Sequence, residues 1–516
     1  MNLKSLAWAV ALLAVGIVAL LVFTKSEKSS ALIYARGTDS TTLDPAEVSW
    51  GEDAKVVTNV YENLVTFDTD STAIVPKLAT SWETSADGKS WTFQLGKGIT
   101  FHDGTPFNAE AVVFTFNRLI DENDPTRPKK VPYGQTFNFI EKVEVSGEDV
   151  VFQLKNPNAT FLQILALFGA GIVSPTAVQK HGESFNQNPC GTGPYQLENW
   201  RAAEKLILKR NDNYWGPKPA IQRVIFLPVQ NAQTAIEKLK NGEVHIVDNI
   251  ALGDVQVVEE TEGLRVESET SLNIAYLGFN LRKAPYNNVH FRKAVALAIN
   301  RDELNDLVYY GQAEPAKNIV PPAIWRNIGN LSPFEFNIEK AKEELGKVTL
   351  PDDFVAEIWY MVFPRPYMPE AHRVAEYIKN QLKKIGLDLQ IQSFEKAAYS
   401  EKIKDHDHPM YLLGWSADYA DPDNFFSPLL HGDSGDDLNN SFFNNDEFNK
   451  AVSQAKYESD PKKRGALYRI AAGIYRSKIP TLPLVHVKQV AACSEKIDYN
   501  RHPTQIRLYP VTFKKP

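Results

Sequence analysis

The chain has 516 residues, of which 43% are hydrophobic and 11% aromatic. Because single hydrophobic cores stop growing near about 250–300 residues, this length predicts two or three domains. The chain carries 56 Lys and Arg against 63 Asp and Glu, a formal net charge of −7. This balance lacks the basic excess that binding to a phosphate backbone requires, which argues against nucleic acid as a partner.

An apolar segment lies near the start of the chain, at residues 6–23, where Gly16 is the one residue outside the apolar set. Eighteen such residues reach the lower limit for a membrane-spanning helix, whereas the apolar part of a cleaved export signal spans about 7–15 residues. A small-residue cleavage pattern, Ser29-Ser30-Ala31, follows only after a polar stretch. We predict a membrane anchor within residues 1–30, with a cleaved signal sequence as the alternative, and both place residues 31–516 outside the cytoplasm.

A β-hairpin is the first element predicted in the exported part. Apolar and polar residues alternate on both sides of the turn dipeptide Asp87-Gly88, between Trp82 and Leu95. A helix is then predicted to begin after Asn108, a favourable N-cap residue. Its apolar face is formed by Val112, Val113, Phe116, Leu119 and Ile120. We interpret this face as packing on the hairpin rather than as a ligand site.

Two units that alternate strand and helix follow. The first has a strand at 222–228, a helix from Asn231 to the stop signal Asn241-Gly242, and a strand at 244–247. The second has a strand at 354–362, a helix at 370–385 that ends at Gly386, and strands at 387–391 and 410–415. Because such crossover connections join parallel strands, the sequence predicts an α/β fold with largely parallel sheets.

Two residues of opposite charge follow strands of the second unit: Arg365 after the 354–362 strand and Asp418 after the 410–415 strand. Ligands of open parallel sheets bind beyond the carboxyl ends of the strands. A guanidinium matches a carboxylate, and a carboxylate accepts well from an ammonium, so this pair complements a zwitterion such as a short peptide. The alternative is that the two residues pair with each other or face solvent. Aromatic residues near Asp418 either line a pocket or pack in the core: Trp415, Tyr419, Phe425 and Phe426.

Other motifs have simpler explanations. An exported metal-dependent hydrolase would use His102, His406 or His408, but no nucleophile motif or third metal ligand accompanies them. We therefore predict no catalytic residue, no metal and no cofactor. The segment 191–194 is interpreted as a turn at a strand entry rather than as a phosphate loop. Cys190 and Cys493 are either a disulfide or two buried thiols.

Longer motifs carry a strong resemblance to the family 5 solute-binding proteins of ABC importers, and the likeness covers essentially residues 32–510. The most specific stretch runs from Leu78 to Glu110, including Asp87-Gly-Lys-Ser-Trp91 and Phe101-His-Asp-Gly-Thr-Pro-Phe107. Further matches are Gly191-Thr-Gly-Pro-Tyr195, Asn211-Asp-Asn-Tyr-Trp215, Leu277-Gly-Phe-Asn280 and Phe291-Arg-Lys-Ala294.

Within this family, two segments look most like the dipeptide-binding branch: Phe363-Pro-Arg365-Pro-Tyr367, and Gly414-Trp415 through Asp418 to Phe426. The resemblance implies that Arg365 holds the peptide carboxylate and that Asp418 holds the α-ammonium. It implies a ligand-binding set of Arg365, Asp418, Trp415, Tyr419, Tyr367 and Phe425. Related receptors for haem, antimicrobial peptides or another small solute share parts of this pattern and remain alternatives.

The family architecture implied is the periplasmic-binding-protein type II fold (cluster C), with two lobes, an extra subdomain and a hinge. Lobe I would comprise 31–54, 186–272 and 486–516, with an inserted subdomain at 55–185, and lobe II would comprise 273–485. The hinge would lie near 275–281 and 484–490. The implied role is that of a monomeric, periplasmic or otherwise extracytoplasmic receptor that delivers peptides to the transmembrane subunits of an ABC permease.

Two departures from the family are visible. Where many dipeptide receptors carry a disulfide loop, residues 430–437 contain no cysteine, and Cys190 stands where an aliphatic residue is usual.

Overall fold

The computed structural model describes residues 31–49, 51–248, 250–324, 331–332, 334–435 and 438–515. Its strands are β1 Ala31–Arg36, β2 Val65–Phe67, β3 Ile74–Pro76, β4 Ala79–Thr84, β5 Ser90–Leu95, β6 Ile140–Ser146, β7 Asp149–Leu154, β8 Tyr195–Arg201, β9 Lys205–Arg210, β10 Arg223–Pro228, β11 Ile246–Val247, β12 Leu264–Thr270, β13 Asn273–Phe279, β14 Ala313–Pro315, β15 Ala356–Met361, β16 Leu389–Phe394, β17 Met410–Ser416, β18 Thr481–Ser494, β19 Ile497–Asp498 and β20 Thr512–Phe513.

The α-helices alternate with these strands along most of the chain. They are α1 Gly51–Val60, α2 Ala109–Ile120, α3 Phe161–Leu165, α4 Pro175–His181, α5 Ala232–Lys240, α6 Val255–Glu259, α7 Val289–Ala298, α8 Arg301–Val308, α9 Ile338–Leu345, α10 Ala371–Lys383, α11 Lys396–Lys404, α12 Asp423–Leu430, α13 Asp446–Tyr457 and α14 Pro461–Lys478. None of the described helices is both long and apolar enough to cross a bilayer. The predicted anchor at residues 6–23 lies outside the described residues.

One long strand, β18, connects the two halves of the main sheet, whose order is β16-β15-β17-β13-β18-β11-β1-β10-β9-β8. The first half of β18 pairs with β13 and β14, and its second half pairs with β12 and β11. The chain therefore crosses between the halves within β18 and between β12 and β13, at residues 271–272.

The half that contains β13, β15, β16 and β17 is a three-layer α/β/α unit. Alternate residues of β13 face opposite sides, so Ala275 and Leu277 lie in one core and Ile274 and Tyr276 in another. Residues of α7 to α10 fill the first core, and residues of α11 to α14 fill the second. Because β15 pairs in parallel with both β16 and β17, the predicted parallel unit at 354–415 is confirmed.

The other half is less parallel than predicted. Strands β10 and β11 flank β1 in parallel, as the crossover at 222–247 predicts. However, β9 pairs antiparallel with both β10 and β8, and β18 pairs antiparallel with β11. The prediction of a largely parallel sheet is therefore wrong for this half beyond these three strands. The connection at 202–204 between β8 and β9 is too short for a parallel crossover.

A four-stranded antiparallel sheet, β4-β5-β7-β6, lies on this half of the molecule. The predicted hairpin is confirmed: Trp82 lies opposite Phe93, and Gly88 adopts a φ of +68° at the turn. The predicted cap of α2 is also confirmed, since the Asn108 side chain accepts a hydrogen bond from the Ala111 amide at 3.1 Å. The apolar face of α2 packs in one core with β5 and β7.

Candidate functional site

Arg365 and Asp418 lie beyond the ends of two neighbouring parallel strands. Trp359 of β15 pairs with Tyr411 of β17, and Arg365 and Asp418 follow these strands shortly after their last residues. Both side chains are partly buried. The carboxyl edge of the sheet thus presents a cation and an anion, as the sequence pattern predicts, and they are not paired with each other in an ion pair.

Asp418 contacts a residue from a distant part of the chain. The Tyr133 hydroxyl donates a hydrogen bond to Asp418 Oδ1 at 3.1 Å, although 285 residues separate the two. Burial raises the pKa of the Asp418 carboxyl, and the Tyr133 hydrogen bond offsets part of that rise. Tyr133 lies between α2 and β6, so this contact joins the predicted inserted subdomain to the predicted lobe II.

Asn424, at the start of α12, positions both Trp415 and Asp418. Its Oδ1 accepts from the Trp415 indole at 2.8 Å and from the Asp418 amide at 3.4 Å. Asn424 is buried. Sequence reasoning missed both Tyr133 and Asn424, because neither belongs to the strand ends on which the predicted pair was found.

Tyr367 contacts the Arg365 side chain through its hydroxyl and its ring. Arg365 Nε donates to the Tyr367 hydroxyl at 3.3 Å, and the guanidinium lies 5.7 Å from the centre of the Tyr367 ring. The ring packs against the backbone of β17 so closely that a Cβ on Gly414 would come within 2.2 Å of it. In the described ranges the Arg365 side chain forms no ion pair, and its one side-chain hydrogen bond uses Nε, so its two Nη groups are available to an anion.

The predicted aromatic residues divide into two groups. Trp415 and Tyr419 are partly exposed beside Asp418, and the Tyr419 hydroxyl donates to Asp423 at 3.3 Å. Phe425 and Phe426 have 0% exposure and pack with α13 and α14 in the core. The structure therefore gives Phe425 no surface that a ligand contacts in this conformation, because α12 turns it inward.

A buried ion pair stabilises the segment after Asp418. Arg464 of α14 contacts Asp421 through two hydrogen bonds, at 2.6 and 2.8 Å. The Asp421 Oδ1 also accepts from the Asp423 amide at 2.8 Å. These contacts fix the turn between β17 and α12, and with it the position of Asp418.

The histidines that an exported hydrolase would use are a separate feature of the sequence. His102 and His408 each place Nε2 against a backbone carbonyl, Gly193 O at 3.0 Å and Asn440 O at 2.7 Å, and burial lowers the pKa of both to about 4. His408 is buried rather than in a hydrophilic turn. No group of three metal-ligating side chains occurs among the residues that the structure describes.

The two cysteines are free thiols, and both are buried. Burial raises the pKa of each to about 12. The interpretation of residues 191–194 as a turn at a strand entry agrees with the structure, since β8 begins at Tyr195. A Cβ on Gly191 or Gly193 would lie 2.3 or 2.6 Å from Val60 O, so this turn requires glycine for close backbone approach.

A cavity of about 670 Å³ lies between two separate parts of the molecule, near the Asp418 segment. One wall comes from β5 and α3 with their flanking loops, and the other from residues 420–422 and from α14 with the loop before it. The two walls touch directly, since the Ala159 amide donates to Lys456 O at 3.1 Å. This volume lies within the range of small-molecule sites, about 300–1,000 Å³.

Comparisons with known proteins agree with this architecture. The family model described as bacterial extracellular solute-binding proteins, family 5 Middle, matches residues 73–437. A dipeptide-binding protein of Pseudomonas aeruginosa is 32% identical over 481 residues, which cover 89% of this chain and 90% of that protein. Heme-binding protein A of Haemophilus influenzae is 31% identical over 494 residues, covering 92% of this chain and 90% of that protein.

A solved structure shares both sequence and fold. The periplasmic binding protein DppA from Helicobacter pylori, associated with an ABC transporter and solved in complex with the peptide STSA, is 31% identical and superposes with a TM-score of 0.76. The match covers 95% of this chain and all of the solved chain. The predicted type II fold is thereby confirmed.

Proposed function

Because this chain belongs to family 5 of the bacterial extracellular solute-binding proteins, we propose that it is the peptide-binding receptor of an ABC importer. It closes over a dipeptide or short oligopeptide outside the cytoplasm and delivers it to the permease subunits. The role consists of binding and release, with no chemical step.

The observation that carries this proposal is the pair of opposite charges on neighbouring strand ends. Arg365 offers a fork of donors to the peptide carboxylate, while Asp418 accepts from the α-ammonium. Burial disfavours the charged form of Asp418. A cationic group bound beside it would stabilise that charged form, which favours binding of an ammonium. Tyr367 and Trp415 support these two residues, and Tyr419 borders the same turn.

Lobe movement is the second part of the proposal. We assign lobe I to 31–54, 186–272 and 486–516 with the subdomain 55–185, and lobe II to 273–485. Two facts support this division: β12 and β13 separate at residues 271–272, and β18 changes partners between residues 487 and 488. The crossings thus fall at residues 271–272 and 487–488. The first lies just before the predicted hinge segment 275–281, most of which belongs to β13, and the second lies within the predicted segment 484–490. Ligand binding between the lobes would favour the closed form.

The test is calorimetric titration of the purified protein with three ligands: Ala-Ala, N-acetyl-Ala-Ala and Ala-Ala-amide. We expect saturable binding of the free dipeptide and much weaker binding of both blocked forms, because each loses one of the two terminal charges. Equal affinity for all three would refute the assignment of Arg365 and Asp418 to the termini.

Haem binding is a second candidate, favoured by the 31% identity to a protein named for haem binding. Titration with haemin would decide between them. A Soret shift that Ala-Ala does not displace would support haem as the solute, and calorimetric binding of Ala-Ala without a haem spectrum supports the peptide role.

Residues 6–23 would hold the receptor at the outer face of the membrane. Sequencing the N-terminus of the mature protein separates the anchor from a cleaved signal. An intact residue 1 in the membrane fraction supports the anchor, whereas a mature protein that begins near residue 31 supports cleavage.

A further inference from the structure

The cavity of about 670 Å³ beside the Asp418 segment is rich in carboxylates. Among the described residues that line it, four are acidic, Asp70, Glu269, Asp421 and Glu458, and one is basic, Arg464. Arg464 is already committed to Asp421 through two hydrogen bonds.

The other three carboxylates form no ion pair in the described part of the chain. Glu458 accepts only from the backbone amide of Asp460 at 2.8 Å, and Glu269 from that of Thr270 at 3.2 Å. Asp70 is exposed at the rim. The lining therefore presents an excess of negative charge that a bound cation would balance.

Aromatic rings complete the lining. Trp91 and Tyr457 come from opposite walls, and Tyr457 leaves 48% of its surface exposed. Rings of this kind attract an ammonium or guanidinium over their faces. Carboxylates and aromatic rings together favour a cationic group with an apolar stem over an anion or a purely apolar group.

The cavity is lined by a residue that lies two positions after the proposed ammonium site. Ala420 lines it, and two Cα–Cα steps from Asp418 span at most about 7.6 Å. An extended lysine or arginine side chain covers a comparable length. A peptide held by its ammonium at Asp418 would thus carry its first side chain to the edge of this cavity.

We propose that the cavity receives the basic side chain of the first residue of a bound peptide, so that this receptor selects peptides that begin with Lys or Arg. The inference rests on the proposed function, because it takes Asp418 as the ammonium site. Glu269 of β12 and Glu458, the residue after α13, provide the selectivity.

The experiment compares dipeptides that differ by one charge. Norleucine has the straight apolar side chain of lysine without the ammonium, so Lys-Ala and Nle-Ala isolate the charge in calorimetric titrations. We expect Lys-Ala to bind roughly 3–10-fold tighter than Nle-Ala at low salt, a preference that shrinks as salt is added. Ala-Lys should show little preference over Ala-Nle, because its basic side chain lies towards Arg365.

The decisive variant combines Glu269→Gln with Glu458→Gln, which removes both charges and keeps the backbone hydrogen bonds that each side chain accepts. It should lower the Lys-Ala to Nle-Ala ratio to about 1 and leave the affinity for Ala-Ala unchanged. The matched control combines Glu148→Gln with Glu204→Gln, which removes the same charge from exposed turns outside the cavity. This control should retain the full ratio.

Two results would overturn the inference: equal affinities of Lys-Ala and Nle-Ala for the unmodified protein, or an unchanged ratio in the cavity variant. Its failure is separable from failure of the proposed function. If Ala-Ala binds but the ratio is 1, only the cavity assignment fails, whereas an absence of Ala-Ala binding refutes the peptide receptor itself.

Discussion

Replacing Asp418 with asparagine tests the centre of the proposed site, because the change removes one charge and keeps nearly the same shape. The substituted amide retains an oxygen that accepts from Tyr133, so the contact at 3.1 Å between the two parts of the molecule is preserved. What is lost is the proposed partner of the peptide ammonium. Leaving a buried charge unpaired at an interface costs about 2–5 kcal/mol, which corresponds to an affinity roughly 30- to 5,000-fold lower.

Calorimetry at neutral pH with Ala-Ala measures this loss. N-acetyl-Ala-Ala is the internal control, since it carries no ammonium and should bind Asp418→Asn no more weakly than it binds the unmodified protein. A change in Ala-Ala affinity of less than about threefold would refute the assignment of Asp418 to the ammonium.

The same variant should stabilise the ligand-free protein, although it weakens peptide binding. Burial raises the pKa of Asp418 in the folded state, so ionisation of this group disfavours folding as the pH rises through that pKa. Without ligand, Asp418→Asn should therefore melt at a higher temperature than the unmodified protein at pH 7. The difference should vanish below about pH 3, where Asp418 is protonated in both states. A lower melting temperature at pH 7 would show that the charge of Asp418 does not destabilise the ligand-free protein.

Arg365→Lys should weaken Ala-Ala binding by about 1.5–3 kcal/mol, because lysine cannot form the two parallel hydrogen bonds of a guanidinium fork. The affinity for Ala-Ala-amide, measured by calorimetry, should show no comparable decrease. Tyr133→Phe removes a hydrogen bond that lowers the pKa of Asp418. The pH at which half of the peptide affinity is lost should therefore move upward in titrations from about pH 4 to 8. An unchanged midpoint would contradict this role of Tyr133. Arg464→Met leaves Asp421 buried and unpaired and should lower the free energy of unfolding in urea by about 3–5 kcal/mol, most of which Asp421→Asn in the same chain should restore.

Local sequence patterns predicted the turns and helix caps that depend on neighbouring residues. The turn at Asp87-Gly88 needs a residue with positive φ, and the N-terminus of α2 needs a side-chain acceptor at Asn108, so both could be found without knowledge of the fold. The placement of Arg365 and Asp418 followed from the rule that parallel strands end at a common edge. These predictions depend on residues that lie close together in the chain.

The contacts that complete the site depend on distant residues. Tyr133 meets Asp418 across 285 positions, and nothing in the residues around Tyr133 distinguishes it from a core aromatic. The family resemblance implied that Phe425 contacts ligand, whereas its closeness to Asp418 left core packing open; α12 places it in the core, where it has 0% exposure. Likewise, the carboxylates of the cavity come from segments that only the folded chain brings together.

The position of β18 has a consequence for the synthesis of this protein. This strand pairs with strands of both halves of the main sheet, yet it begins at residue 481 and follows β1 by about 445 residues. At roughly 5–20 residues per second, a ribosome needs about 20–90 s to make the intervening chain. During that time the main sheet lacks the strand that joins its two halves. The main sheet therefore stays incomplete until the chain is nearly finished, so the export that we propose would act on an incompletely folded chain.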